Sequence, residues 1–562
     1  MSLALLSLCQ AASAQTILPS DASPTCAVPA ATFNSWFTSG TVTLNGAVQP
    51  ADSVAFSTNS DCDFLEWGEN MFLWLTSPAP AIYGGSGGLV LNTPLFFDVS
   101  TPDSMGNRTF IPITSGGIRH FMVRKAQVGP RGLPVRMNRE GRMIEIEPPP
   151  ARPIILDRAG NQVEVASTRF GFFGKPIFRD ASGKVIKPLL GPRGKPFFIN
   201  NQGNRVEMFR IIRGVGDMLT FLDAADNPIQ FGEGETMGND VLMDQHGSLV
   251  YFAIQVNDVY PYFLTGVAGG TIQATQFPSS QQDMNNITSF AQAHAVTLSD
   301  PDTMTMEIKS AWVETNGLDV SKYITMAATI PTYHTNSTTS NSTTWTTNGM
   351  KQTELALVGI HVVGTVLGHP EMVWATFEHM DNSPQAAYSY FNTSGSTTTV
   401  PQDTGSSFTW LFCSSGSSGP YNNANMTAAA NDTISPVQGF TISPSDTLRI
   451  TAWGVPINNN TGTFVPTELI SINNSVRGML MPGDVRANYI LTGVTWTGGV
   501  PPSIPNGLYG SSEMANTTLE TYQQPSNCFD CHNGTPMLGT MSTGQGIGLS
   551  HIFGTLSPLS LP

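Results

Sequence analysis

Cys528-Phe529-Asp530-Cys531-His532 is the stretch of this chain whose residue types and spacing speak most directly of chemistry. Two thiols three positions apart can form thioethers with the vinyl groups of one porphyrin, and the adjacent imidazole then falls under the iron as its proximal ligand. The pattern predicts one covalent haem c, with Cys528 and Cys531 as anchors and His532 on the iron. Other chemistries use the same spacing. Such a pair can close as a small disulfide or supply half of a zinc site, although only His532 and His551 lie close enough in sequence to complete the latter.

A low-spin haem needs a sixth ligand. His551, in the apolar segment Gly548–Phe553, is the candidate distal ligand, and Met537 and Met541 are alternatives nearer the motif. An open site or an upstream ligand is the remaining option. Upstream, His361, His369, Glu371, Glu378 and His379 crowd into one segment. On a helix started by Pro370, Glu371, Trp374 and Glu378 share a face, which suits a metal or proton-transfer site. The structural alternative is an amphipathic helix that packs Met372, Val373 and Phe377 inward.

The elements that must position these groups read as mainly β. Only 12% of the 562 residues are charged, with Gly (54) and Pro (40) abundant, a composition for many turns. Strands are expected at 41–44, 250–256, 305–313, 355–366, 447–453 and 489–496, where apolar or β-branched residues run or alternate. Serine-, threonine- and asparagine-rich stretches at 335–349 and 392–408 read as loops. Helices are expected at 64–75 (capped by Asp63), 371–380 and 517–522. The fold class is therefore a β-sandwich-like core with a few short helices, an inserted β-hairpin repeat module and a C-terminal haem-binding tail.

Charge marks the insertion. Residues 118–213 hold 19 of the 26 Lys+Arg but only 7 of the 41 Asp+Glu. Within 120–236 a unit recurs: apolar, variable, Asp or Asn, two variable residues, Gly, apolar. Examples are Ile155-Leu-Asp-Arg-Ala-Gly160-Asn-Gln-Val163 and Phe178-Arg-Asp-Ala-Ser-Gly183-Lys-Val-Ile186. The Asp caps a turn and Gly takes the positive φ, which is hairpin grammar. Each unit offers too few carboxylates for calcium. The basic face suits an anionic polymer, or is simply a solvated surface.

The N-terminus reads as a secretory signal, with an apolar Leu3–Leu8 run and an Ala12-Ser13-Ala14 cleavage site. Leu8 before Cys9 argues against a lipid anchor. Export permits Cys26 and Cys62 to pair, leaving Cys413 as a buried free thiol. No run of 18 apolar residues follows, so no transmembrane segment is expected. The organisation expected is 1–14 signal peptide, 15–119 and 237–510 β-rich core, 120–236 insertion and 511–562 haem tail.

Taken together, Met71–Pro78, Gly247–Tyr260, His369–His379, Asn516–Tyr522, the Cys-x-x-Cys-His and Leu549–Phe553 resemble exported bacterial proteins of the cytochrome c family. That resemblance implies a single covalent haem and supplies no reaction. The expectation is a periplasmic or secreted monohaem cytochrome passing electrons to a redox partner protein or small donor or acceptor, with no specific nucleic acid. Only 30 residues follow His532, too few for an ordinary cytochrome c domain, so the haem would lie between tail and β body. The rival expectations are a haem peroxidase or oxygenase, with Glu371, His369 and His379 above the iron, and a β-sandwich binding protein whose Cys-x-x-Cys is structural.

Overall fold

The computed structural model describes residues 18–84, 88–101, 107–114, 117–123, 240–335, 344–403, 409–414, 421–428, 432–437, 440–454, 464–500, 508–511, 513–514, 516–522, 524, 528–532, 546–550 and 552–561. Between 124 and 239 it describes 135–137, 143–145, 153–165, 167–170, 176–180, 184–199, 205–213, 219–224 and 229. The stretch expected as a signal peptide, with Cys9, and the ligand candidates Met537, Met541 and His551, lie outside these residues.

The described residues build a 13-stranded sheet. Its spine is β1 (Phe96–Val99), β2 (Tyr251–Asn257), β3 (Met306–Glu314), β5 (Trp345–Val366), β6 (His369–His379) and β7 (Tyr489–Thr497), each antiparallel to the next. The long β5 also pairs β4 (Thr325–Thr335) through its first half. The central strands are buried on both faces. Ile360 and Val362 of β5, with Val373, Ala375 and Phe377 of β6, join the core shared with α2 (Cys62–Leu75) and α5 (Phe464–Met479). Val363, Met372 and Trp374 point the other way, toward α3 (Val259–Ala268), α4 (Gln281–Ala293) and the tail residues Phe529, Leu549, Ile552 and Phe553.

One sheet with helices on both faces replaces the expected sandwich of two packed sheets: alternate residues on both sides of β5 and β6 are apolar, so each face needs a cover. The mixed, mainly β class stands. In the 120–236 region the described residues form a four-stranded sheet and two-stranded hairpins. At Asp157 the turn is built as its sequence requires: Oδ1 accepts from the N–H groups of Ala159 and Asn161, and Gly160 holds φ +83°.

Strands at 250–256, 305–313, 355–366 and 489–496 form within a residue or two of expectation, apart from the longer β5. Residues 371–380 are strand, not helix. Residues 517–522 form turns, and neither 41–44 nor 447–453 forms a strand, although Arg449 makes an isolated bridge to Gln385. The serine/threonine stretch after 392 folds back as a hairpin, Tyr388–Phe391 against Thr397–Val400.

Helix α2 forms as expected, starting two residues earlier, but Asp63 does not cap it: Asp61 stands at the N-cap, and Asp63, inside the first turn, accepts the N–H groups of Asn59 and Ser60 ahead of the helix. Helix and strand meet at Gly68, where an added Cβ would lie 3.1 Å from the Ala375 Cβ. Gly68→Val is expected to cost about 1–3 kcal/mol by overpacking, read as a lower midpoint in denaturant; an unchanged midpoint would show that α2 can lift from β6. No helix among the described residues is long and apolar enough to cross a membrane.

Candidate functional site

The turn from β5 to β6 gathers the most chemically unusual groups in the described residues. His369 Nδ1 donates to Glu371 Oε1 at 2.8 Å. The same oxygen accepts the backbone N–H groups of Thr497 at 3.1 Å and Gly499 at 3.2 Å. Glu371 is fully buried and its Oε2 has no partner. Met372, the next residue, sits at φ +66° although it carries a buried side chain. A bulky residue in left-handed conformation is strained, and surrounding structure must hold it there. Glu371 thereby fixes the imidazole's orientation through Nδ1. The ring lies edge-on to Phe64 at 5.0 Å and Phe56 at 6.4 Å.

Phe56 is also a wall of a cleft of about 380 Å³ on the outer face of α2. Asp63, Glu66, Trp67 and Asn70 follow the i, i+3, i+4, i+7 spacing of one helix face and line it. Trp36, from helix α1 (Ala30–Trp36), and Asp52 complete the opposite side. Trp67 is held by its Nε1–H donating to Ser53 Oγ at 3.1 Å. Asp52 Oδ1 accepts the Ala55 N–H. Asn70 is 3% exposed and its Oδ1 has no partner. Burial, and then the charge of Asp63 one turn earlier, push the Glu66 carboxyl above its usual range. The cleft thus combines aromatic faces, an orphaned amide oxygen, the carboxylates of Asp52 and Asp63, and the Glu66 carboxyl biased toward its protonated form.

A second carboxylate-held imidazole lies on the opposite sheet face. His361 Nε2 meets both oxygens of Glu520 at 2.8 Å, and Lys309 approaches the same carboxylate at 3.4 Å. Nearby, Tyr260 bonds Ser550 Oγ at 2.7 Å, and Ser550 donates to Glu307 at 2.7 Å. These bonds fasten the C-terminal tail to the sheet. Another cavity, of about 280 Å³, is walled by the Asp98–Arg119 ion pair and apolar strand residues.

The other histidine of the cluster is structural. His379 is stacked on Tyr323 at 3.9 Å and bonded to Lys322 O, and burial pushes its pKa down to about 3. Glu378 pairs with Arg449 and Thr517. Glu371, His369 and His379 therefore do not assemble as acid and base groups over His532, which removes the peroxidase or oxygenase arrangement.

The covalent-haem expectation is corrected as well. Cys528 and Cys531 open and close a four-residue helix, α6. Phe529 between them is 2% exposed and meets Trp374 edge-on at 5.8 Å. The His532 ring lies 4.4 Å from Trp374, and its Nδ1 donates to Leu549 O at 2.6 Å. The motif is thus packed onto β6 of a mainly β body, without the helical enclosure of a c-type cytochrome. Among the described residues, the group of ligand-type side chains with metal-binding geometry is elsewhere: Cys26, Cys62 and Glu468. Its two cysteines are 36 residues apart and joined in a disulfide, as expected for that pair. Cys413 is free and buried, also as expected. The haem c, iron and electron-transfer expectations, and the β-sandwich binding alternative, fall with these findings.

The class defined is a mainly β protein with one large, mostly antiparallel sheet covered by helices on both faces. No family model, no curated protein and no solved structure matches the chain, so the resemblance to cytochrome c family proteins finds no support there. Sequence reasoning passed over Trp36, Asp52, Glu66 and Asn70. The signal for the latter two was present, because both lie with Asp63 on one face of a helix it had identified.

Proposed function

We propose that the chain is an exported enzyme whose α2 cleft takes a saccharide and cleaves it by acid–base chemistry. The observation that carries this reading is Glu66: a half-buried carboxyl, raised in pKa, one helical turn from the carboxylate of Asp63 and facing the cleft. Glycoside cleavage needs such a pair, one group protonated to donate to the leaving oxygen and one ionised. Glu66 is the proton donor and Asp63 the charged partner. Trp36 and Phe56, both half-buried, offer faces for the apolar side of a sugar ring, while Asn70 Oδ1 and Asp52 accept from its hydroxyls. His369, fixed by Glu371 behind Phe56, positions that wall. The Cys26–Cys62 disulfide supports an oxidising compartment.

The test is turnover of a panel of aryl glycosides by the full chain, with glycan-array binding in parallel. Glu66→Gln is expected to lower kcat by about 10²–10⁴-fold, and Trp36→Ala to raise KM with a smaller change in kcat. The alkaline limb of the wild-type pH profile should also disappear in Glu66→Gln. Absence of both binding and turnover across the panel, or full activity in Glu66→Gln, overturns the reading.

A further inference from the structure

The disulfide that joins the N-terminal segment to α2 sits against a buried acid. Glu468, in the N-terminal half of α5, is 8% exposed. One of its carboxylate oxygens and the two sulfurs of Cys26 and Cys62 all lie within 4.8 Å of one another. The placement is built rather than incidental. Cys26 N–H donates to Ser471 Oγ at 3.0 Å and Val28 N–H to Ser475 Oγ at 2.9 Å. Glu468, Ser471 and Ser475 are spaced i, i+3, i+7, so one face of α5 holds both the segment that carries Cys26 and the acid beside it. Cys62 is the first residue of α2, half-buried, with helix N–H groups behind it.

Asp61, next to Cys62 in the chain, is a second acid acting on Glu468. Two thiolates, a carboxylate and a second acid at the rim form a donor set for a borderline-soft, four-coordinate cation.

We propose that Cys26, Cys62 and Glu468 form a reduction-gated site for a divalent cation of the zinc type, closed while the disulfide is intact. This site is separate from the saccharide cleft and does not depend on that reading. A dithiol reductant supplies two electrons: the Cys26–Cys62 bond breaks, two thiols form, and the reductant leaves as its own disulfide. The metal then displaces the two thiol protons and the proton of Glu468, and is held by two sulfurs and one oxygen. Asp61 or water takes the fourth position. Cys62 supplies the movement needed, because it is half-buried at a helix end while Cys26 is pinned.

The experiment uses the full chain carrying Cys9→Ser, Cys413→Ser, Cys528→Ser and Cys531→Ser, so that no other thiol contributes. Zn²⁺ is titrated against a chromophoric chelator before and after anaerobic reduction, and Co²⁺ is added to report thiolate ligation by its charge-transfer band. One equivalent bound only after reduction, with a thiolate-to-cobalt band, is the expected result. Glu468→Gln should keep both reduced thiols titratable while weakening Zn²⁺ by at least about tenfold. If reduction unfolds the chain, Zn²⁺ should restore its far-UV circular dichroism. Reduced protein that binds no stoichiometric metal, a Glu468→Gln variant of unchanged affinity, or unfolded reduced protein that Zn²⁺ fails to rescue would each overturn the proposal.

Discussion

Arg449→Met is expected to destabilise the protein by about 3–5 kcal/mol, read as a lowered urea midpoint. Arg449 and Glu378 are both fully buried, and Arg449 Nη2 donates to Glu378 Oε2 at 2.8 Å. The same carboxylate accepts the Thr517 N–H at 2.6 Å and the Thr517 hydroxyl. It therefore ties β6, the segment around residue 449 and the start of the tail into one knot. Removing the guanidinium leaves an ionised carboxylate out of water with only the Thr517 donors. That is costly, whereas removing both charges together is not. Glu378→Gln combined with Arg449→Met should recover much of the loss, a non-additive result that identifies a coupled pair. Hydrogen exchange should also quicken at 516–522 in the single variant. A midpoint within about 1 kcal/mol of wild type would show that the pair contributes little. The wild-type pair is itself incompletely satisfied, since Nε and Nη1 of Arg449 have no partner, and the prediction concerns breaking it rather than its net worth.

The same knot shows what a sequence can and cannot disclose. Strands β2, β3, β5 and β7 were legible because their apolar and β-branched runs have no helical alternative. His369–His379 was not. Both of its faces are buried, Val373, Ala375 and Phe377 on one and Met372, Trp374 and Thr376 on the other, so no alternation of apolar and polar residues marks it as a strand. Pro370 and the spacing of Glu371, Trp374 and Glu378 then imitate a helix start and face. What decides the matter is the ladder to β5 and β7, which is tertiary and invisible locally. Residues 447–453 failed the other way: their alternation reads as a strand, yet it serves to bury Arg449.

The candidate site was legible in pieces. His369 and Glu371 stood out as neighbours with matching chemistry, and the structure pairs them; that His379 is a stacked core residue could not be seen, because Tyr323 comes from 56 residues away. The Cys-x-x-Cys-His motif is the sharper lesson. Its spacing specifies what the five residues could do, while Trp374 and the packing of Phe529 specify where they are placed. Glu69 and Glu468 carry no sequence signal at all, since a buried acid reads like any other helix surface residue.

Those two acids make the second large prediction, a stability that falls as pH rises above about 4. Burial pushes the carboxyl of Glu69 on α2 up to about 8, against the opposing pull of Arg477, and that of Glu468 on α5 up to about 8, reinforced by Asp61. Asp258, pushed up to about 7, and Asp244, to about 6, are raised first by burial too. In the unfolded chain all four ionise near the ordinary carboxylate range of about 4. Between there and pH 8 the native state holds protons that the unfolded state has released, so raising pH favours unfolding until the native carboxyls have also ionised. Each pKa unit separating the two states is worth about 1.4 kcal/mol. His379 works in the opposite direction at the acid end. Its folded pKa lies near 3, so the unfolded imidazole takes up a proton below about 6.5 and stability is lost as pH falls from there toward 3. Four acids outweigh the one imidazole, so for these groups the fall with rising pH prevails from about pH 4 upward, tempered by His379 below about 6.5. Glu69→Gln with Glu468→Gln keeps the shape of the protonated acids without their charge. The double variant should therefore lie close to wild type near pH 4 and exceed it by several kcal/mol at pH 8, on the order of the lost ionisation cost. Urea unfolding at both pH values measures it. An equal decline in the two proteins would mean that the acids ionise in the native state without penalty, which burial at the α2–α5 contact, with Glu69 Oε1 lacking any partner, argues against.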